Sequence, residues 1–405
     1  MTIHIILGLI LFLPTYFYGL TKPYDALIAV PVADLAGQSL QESPKIPAEP
    51  WYKKLAICGK KGEFACPRVH QALFGEQVTV LEEKQDEVFV KIYNFFYEKD
   101  KDSLKYDTFW TLKKNIVPLE HLKKHTISLE HIPPTISYTT PHKKHPHKVV
   151  TLLKPFRDTI SGYTFSVGTR FVQAGAQEAA KTPIYILDPK TMRMHIAHVP
   201  SNAALCTDEL SGAQKRKLFV LLCRQWAQAT HGFVPYVWGG CSLTHMCKED
   251  SFAVLQTKDH YQKPVEIFKR HDVRNPLSGF DCAGLIARAA QTAGLPYYYK
   301  NTTTLSKNLK TYTQETKAQN GDLMWIPGHV MVIGSIEKNT IIEARHYSHG
   351  YGKVHEIPID HIFKDIKTVE ELKQAYLKKE PLLRLDKSKT VIQTIKDYKL
   401  LEFIS

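Results

Sequence analysis

Apolar positions along this chain fall into two registers. Up to about residue 205 they alternate with polar ones or run in short β-branched blocks. These are ALIAVPV (26–32), QVTVL (77–81), VFVKI (88–92), FWTL (109–112), VVTLL (149–153), TRFV (169–172) and PIYIL (183–187). Short runs of this kind, bounded by turn residues, predict strands. From 211 to 230 the period lengthens: Leu218, Leu221, Leu222, Trp226 and Ala229 recur three and four apart behind Ser211, a candidate N-cap. That pattern predicts a helix. Leu285, Ile286, Ala289, Ala290 and Ala293 make a second helical face, preceded by the turn and cap residues Gly279 and Asp281. Strands then return in GDLMWIPGHVMVIG (321–334), TIIEA (340–344) and 354–359. A charged helix near 369–379 and a strand at 381–385 follow. One strand-rich sheet behind a few helices is an α+β arrangement.

At 405 residues the chain has room for two to four domains of ~100–200 residues each. With 43% hydrophobic and 23% charged residues it has an ordinary globular composition that supports large cores. The apolar block IILGLILFL (5–13) suits a secretory leader and is short for a membrane span. Residues 1–20 are therefore read as a signal peptide, with an uncleaved anchor or a buried strand as alternatives. The stretch 121–148 holds Pro133-Pro134 and HKKHPHK (142–148), a composition expected of a linker with no core of its own. This gives β-rich domains at 21–120 and 149–205, and a last domain at 206–405 with a surface insertion at 241–278.

A net charge of +13 favours anionic partners, whether a wall polymer carrying carboxylates or acidic lipid. Arginine-rich helices and paired Cys/His fingers are missing from the sequence, so nucleic acid is not the expected partner. Membrane contact is expected only through an uncleaved N-terminal segment.

The cysteines are Cys58, Cys66, Cys206, Cys223, Cys241, Cys247 and Cys282. Six of them could pair and leave Cys282 free, with Cys58/Cys66 and Cys241/Cys247 near enough to close small loops. Such pairing requires an oxidising compartment, and connectivity does not follow from sequence. Cys241, His245 and Cys247 lack a second ligand pair, so no metal is expected. Cys282 stands at the start of the predicted second helix. The unpaired N–H groups and dipole there can bring a thiol from ~8.5 into the range ~3.5–7.5. Taken alone, the residue is equally compatible with an inert buried thiol.

Three strings stand in one order: PYVWGG (235–240), FDCAGLI (280–286) and GDLMWIPGHVMVI (321–333). Together they resemble the NlpC-type cell-wall peptidases, papain-like cysteine hydrolases, over roughly residues 211–360. QALFGEQVTVLEE (71–83) and YTFSVGTRFV (163–172) are similar to the bacterial SH3-like modules that precede such enzymes. The resemblance implies a papain-like catalytic domain behind two small all-β SH3-like barrels. It makes Cys282 the nucleophile and His329 its base, since a thiolate needs a base within hydrogen-bond reach and the base an orienting partner. The family usually places His, Asn or Gln third, on the next strand. This chain offers Glu343 there, with His346 three residues on. The resemblance also gives Tyr236 a share in holding the oxyanion and places Trp238 at the substrate. It assigns Asp281 and Glu76, the latter in the turn Phe74-Gly75-Glu76, to a free amine of the substrate. Ala283 stands where serine is more usual, which removes one substrate hydrogen bond. The implied activity is hydrolysis of peptidoglycan stem peptides between γ-D-glutamate and the diamino acid, with a free N-terminal L-alanine preferred. It needs no cofactor and implies export to the periplasm or envelope. A non-catalytic wall-binding protein, or an acyltransferase or amidase on the same scaffold, are the competing classes.

Overall fold

A computed structural model of the chain describes residues 22–39, 68–98, 104–140, 145–178, 180–230, 232–247, 278–346 and 351–403. The expected leader, Cys58, Cys66 and most of the expected insertion (248–277) lie outside the described residues. Among the described residues no helix is long and apolar enough to cross a membrane.

The first unit contains β1 (Tyr24–Ile28), β2 (Val32–Ala36), β3 (Arg68–Leu73), β4 (Gln77–Lys84), β5 (Glu87–Ile92), β6 (Thr108–Leu112) and β7 (Ile116–Pro118). They pair antiparallel in the order β3-β2-β6-β5-β4-β1-β7. Alternate residues Val78, Val80, Val88 and Val90 turn inward onto Phe95 and Phe109, the period of two read from the sequence. The order is open among the described residues, and no pairing closes it into a ring.

Short helix α1 (Leu119–Lys124) leads to the second unit. There β8 (Val149–Leu152) lies between β9 (Arg170–Val172) and β12 (Ala204–Leu205), while β10 (Lys181–Asp188) and β11 (Arg193–Pro200) form a hairpin. This unit shares its core with its neighbour. Leu27 and Phe74 of the first unit pack with Val150, Phe165, Phe171 and Ile184, and the rings of Phe74 and Phe165 lie 5.0 Å apart. Leu122, Ile127 and Ile132 enter the same core. The stretch expected to be a core-free linker is therefore packed. Its apolar residues are sparse, but Leu122, Ile127 and Ile132 are buried in the core at the seam between the two units, while Leu129 stays exposed.

The last unit begins with α2 (Gly212–Ala227). Ser211 and Gln214 form a capping box at its start, satisfying two otherwise unpaired N–H groups. β13 (Cys241–Ser242) pairs with β14 (Gly279–Phe280), which runs into α3 (Cys282–Thr292). After α4 (Thr302–Asn308) come β15 (Leu323–Ile326), β16 (His329–Ser335), β17 (Thr340–Ala344), β18 (Val354–Pro358), β19 (Phe363–Lys364), α5 (Val369–Leu377), β20 (Leu382–Leu385), β21 (Val391–Ile395) and β22 (Lys399–Leu401). Five of these make an antiparallel sheet, β18-β17-β16-β15-β22, and three make a second one, β19-β20-β21. Val330, Val332 and Ile342 pack with Phe219 and Trp226 of α2 and Leu285, Ile286 and Ala289 of α3. Met331, Ile333 and Ile341 pack the opposite way, on Ile362, Phe363, Val369 and Leu372. A sheet covered on both faces reads as continuous apolar runs, which is how 330–333 and 341–342 read.

One side chain ties the three units together. Arg288 on α3 is 1% exposed. Its Nε donates to Cys241 O at 2.8 Å and its Nη2 to Gln71 O on β3 at 3.1 Å. Its Nη1 donates to Gln291 Oε1 at 3.2 Å and lies 3.7 Å from Glu76. Gly168 of the second unit, at φ +81°, covers the stem so closely that a Cβ there would meet Arg288 Cδ at 2.7 Å. Cys241 and Cys247 do not close the expected loop. Both are free thiols, as are Cys206, Cys223 and Cys282. Cys241 Sγ reaches Gly284 O on α3, whereas Cys247 pairs through its backbone with Phe233.

Replacing Arg288 by alanine leaves buried acceptors at Gln71 and Cys241 without a donor. The variant is expected to lose about 3 kcal/mol or more of unfolding free energy. Equilibrium urea denaturation checks this.

Candidate active site

The nucleophile candidate is positioned by two of the three strings pairing with each other. Phe280 N–H donates to Pro235 O at 3.1 Å, Val237 N–H to Phe280 O at 3.0 Å and Asp281 N–H to Gly240 O at 3.1 Å. Asp281 caps α3 by accepting from the N–H of Gly284. The approach explains why Gly284 carries no side chain, since a Cβ would sit 2.0 Å from Gly240 O. Tyr236 lies beside Phe280, buried, with its ring edge-on to His346 at 5.2 Å. Trp238, on the same turn, is 49% exposed.

Cys282 shares its core with Val330, the residue after His329, and the backbone N–H of Val330 acts to lower the thiol's pKa. The start of β16 therefore meets the start of α3. His329 Nε2 lies 2.6 Å from Glu343 Oε2. Against a carboxylate that nitrogen carries the proton, which leaves Nδ1 as the ring's acceptor. Strand register explains the contact. Val332 stands opposite Ile342, so Glu343 is diagonal to His329, a separation long side chains bridge. On the other side Glu343 stands directly opposite His355.

Glu343 is 0% exposed and is surrounded by donors. His355 Nε2 is 3.0 Å from Oε1, and Arg345 Nη1 is 3.5 Å from the same oxygen. Arg384 Nη2, from β20, donates to Oε2 at 3.0 Å. Burial alone would raise its pKa. Hydrogen bonds from His329 and His355 and the Arg384 charge outweigh that and hold the carboxyl well below its usual range. Burial, followed by the Arg384 charge, lowers His329 to about 4 against the pull of Glu343. Burial, followed by neighbouring Asp281, raises Cys282 to about 12, while Val330 N–H and Lys300 oppose the rise. The expectation that the helix start lowers this thiol is thus reversed. At 8% exposure desolvation of the thiolate exceeds what the helix terminus supplies. Both shifts favour the uncharged forms, a protonated thiol and a neutral imidazole.

Cys282, His329, Glu343, Tyr236 and Asp281 are thus gathered at one place. Glu76 stands elsewhere. It faces Arg288, six residues and about 9 Å along α3 from Cys282, with Asn94 and Arg170 also acting on it. There it borders a cavity of about 40 Å³ at the junction of the three units. His355, Arg345, Arg384 and Lys300 were not singled out in the sequence. The available signal was a lone cation or imidazole inside an apolar strand, as in LLRL (382–385).

No protein-family model matches the chain, and no curated protein matches it. The solved structure of an NlpC/P60 family protein from Bacillus cereus aligns over 83% of this chain and 94% of its own, at TM-score 0.52 and 15% identity. NlpC2 from Trichomonas vaginalis aligns over 83% of this chain and 92% of its own, at TM-score 0.30 and 9% identity. The peptidoglycan hydrolase RipB from Mycobacterium tuberculosis aligns over 38% and 63%, at TM-score 0.23 and 24% identity. The last two align too loosely to bear on the fold. The first shows that the chain has the NlpC/P60 fold.

Cys282 is expected to react slowly with iodoacetamide at pH 7. Its rate should climb about tenfold per pH unit with the thiolate fraction, without levelling off below pH ~8. Timed alkylation followed by mass mapping of the Cys282 peptide checks this; a plateau near neutrality would indicate a preformed thiolate–imidazolium pair.

Proposed function

We propose that the chain is a cysteine peptidase that hydrolyses peptidoglycan stem peptides between γ-D-glutamate and the diamino acid. One observation carries the reading. Cys282 shares its core with Val330, the residue after His329, and His329 is held by a buried Glu343 at 2.6 Å whose carboxyl is kept well below its usual range.

In this reading the Sγ proton passes to His329 Nδ1 as sulfur bonds to the scissile carbonyl carbon. The N–H of Cys282 and the Tyr236 hydroxyl hold the developing oxyanion. The imidazolium, stabilised by Glu343, returns its proton to the leaving amine, and a thioester to Cys282 remains. Water, deprotonated by the same imidazole, resolves it. Trp238, exposed on the turn beside Tyr236, is the candidate wall for the substrate.

The two β-rich units are read as SH3-like modules, at 21–120 and 149–205, that narrow the cleft of the catalytic domain at 206–405. The junction through Arg288 supports a fixed placement. The basic surface suits an anionic wall polymer, and export to the periplasm or envelope follows from the substrate.

Cys282→Ala is expected to abolish cleavage of L-Ala-γ-D-Glu-diaminopimelate, read by mass as release of the dipeptide and the free diamino acid. Undiminished cleavage would refute the assignment. In the parent protein kcat should fall only as pH drops through about 4, where His329 becomes protonated. Arg384→Gln removes a cation that depresses His329. That variant's acid limb should move upward, toward the ordinary histidine value of ~6.5, and a pH–rate profile of both proteins reads the shift.

A further inference from the structure

Asp281, next to the nucleophile, is neutralised from within the protein. Lys300 Nζ lies 3.1 and 3.0 Å from its two carboxylate oxygens. The lysine is 2% exposed, and its backbone is fixed as well. Lys300 N–H donates to Phe96 O at 2.9 Å, and Phe96 N–H donates to Tyr298 O at 2.9 Å. The first unit thus holds this ammonium against the carboxylate at the mouth of α3, whose Oδ1 also caps Gly284.

The other acidic groups singled out also face cations. Glu343 is enclosed by His329, His355, Arg345 and Arg384. Glu76 is less fully met: one oxygen lies 3.7 Å from Arg288, with Arg170 also acting on it, while Oε2 is buried without a hydrogen-bond partner, about 9 Å along α3 from Cys282. Around Cys282 the field of Lys300 and Arg384 acts on or with the thiol. A substrate ammonium entering here would have to displace Lys300 and leave a buried cation without a partner, which is costly. An uncharged acylated nitrogen makes no such demand, and the carboxylates of a stem peptide meet a cationic surrounding.

We propose that Lys300 sets the amino-terminal specificity of the site by occupying Asp281, so that the site accepts stem peptides whose L-alanine nitrogen is acylated and does not require a free amine. This rests on the hydrolase reading above. It replaces the preference for a free N-terminal L-alanine that the sequence resemblance implied. Lys300 acts by positioning charge and takes no part in bond-making.

The test measures kcat/KM of the full chain on two probes, L-Ala-γ-D-Glu-diaminopimelate and its N-acetyl form. The parent protein is expected to cleave the acetylated peptide at least as well as the free one. Lys300→Met releases Asp281 and should shift the ratio toward the free peptide by about tenfold or more, an effect of ~1.4 kcal/mol. Lys300→Arg should leave the ratio within about threefold, less than ~1 kcal/mol. The double variant Lys300→Met, Asp281→Asn, with no carboxylate to offer, should return to the parent's ratio and also avoids an unpaired buried charge. A tenfold parental preference for the free peptide overturns the inference whatever the variants do. An unchanged ratio in Lys300→Met overturns it too. Cleavage of neither peptide by the parent overturns the hydrolase reading, and this inference with it, which separates the two failures.

Discussion

A carboxylate with no access to solvent persists as an anion only if the fold surrounds it with donors. Glu343 is such a group, and most of the architecture around the candidate site can be traced to supplying it. One strand brings His329, a second brings His355 at the directly opposed register position, and Glu343's own strand continues into Arg345. The fourth donor, Arg384, comes from a different sheet altogether, more than forty residues further along the chain. The C-terminal sheet and α5 therefore do more than cover one face of the main sheet. Without β20, Oε2 would have only His329, and that histidine would lose a cation that adds to burial in lowering its pKa.

The same constraint operates at the unit boundaries. Arg288 is buried as deeply as any residue in the core, so each of its nitrogens must find an acceptor. Those acceptors are backbone carbonyls of β3 and β13 and the side chain of Gln291, with Glu76 as an ion-pair partner at 3.7 Å. Gln71 completes the arrangement, accepting from Cys241 N–H and Ser242 Oγ and donating to Asp34. Because Arg288 rides on the helix that begins with Cys282, the requirement that it be satisfied also fixes that helix against the first unit. Lys300 repeats the logic closer to the thiol. Its backbone is tied to the first unit and its ammonium to Asp281.

Local features were legible in the sequence because local interactions produce them. Ser211 and Asp281 are caps where capping residues were read, and TIIEA (340–344) is a strand with the predicted bounds. Gly75 takes the positive φ that a tight turn requires. What that turn faces was not legible, because Arg288 lies more than two hundred residues away and nothing near Glu76 announces it. The linker expectation at 121–148 failed for a related reason. Proline and charge dominate its composition, yet three apolar residues, Leu122, Ile127 and Ile132, suffice to anchor it in the core at a seam between units while most of it stays at the surface. Nor did the strand patterns reveal that the first unit's sheet is open among the described residues, since closure depends on which edge strands meet and not on how any one strand alternates.

The thiol shows most plainly where local reasoning stops. A helix start offers Cys282 partial positive charge, and that much is visible in FDCAGLI. Whether this yields a thiolate depends on burial, on Asp281 and on the opposing Lys300, and the charge of His329 depends first on its own burial and then on Arg384. The buried cations around Glu343 act in opposite directions on the two reacting groups. They favour a thiolate but disfavour an imidazolium, so they cannot by themselves stabilise the separated ion pair. Glu343 supplies the compensating negative charge directly on the far nitrogen of the ring. Charge separation is thereby made most favourable when the sulfur's electrons are already committed to a carbonyl carbon, the negative charge having moved to the oxyanion and the positive charge to an imidazolium held by Glu343. A nucleophile that stays protonated until its substrate arrives is also protected from oxidation, because susceptibility follows thiolate character and exposure.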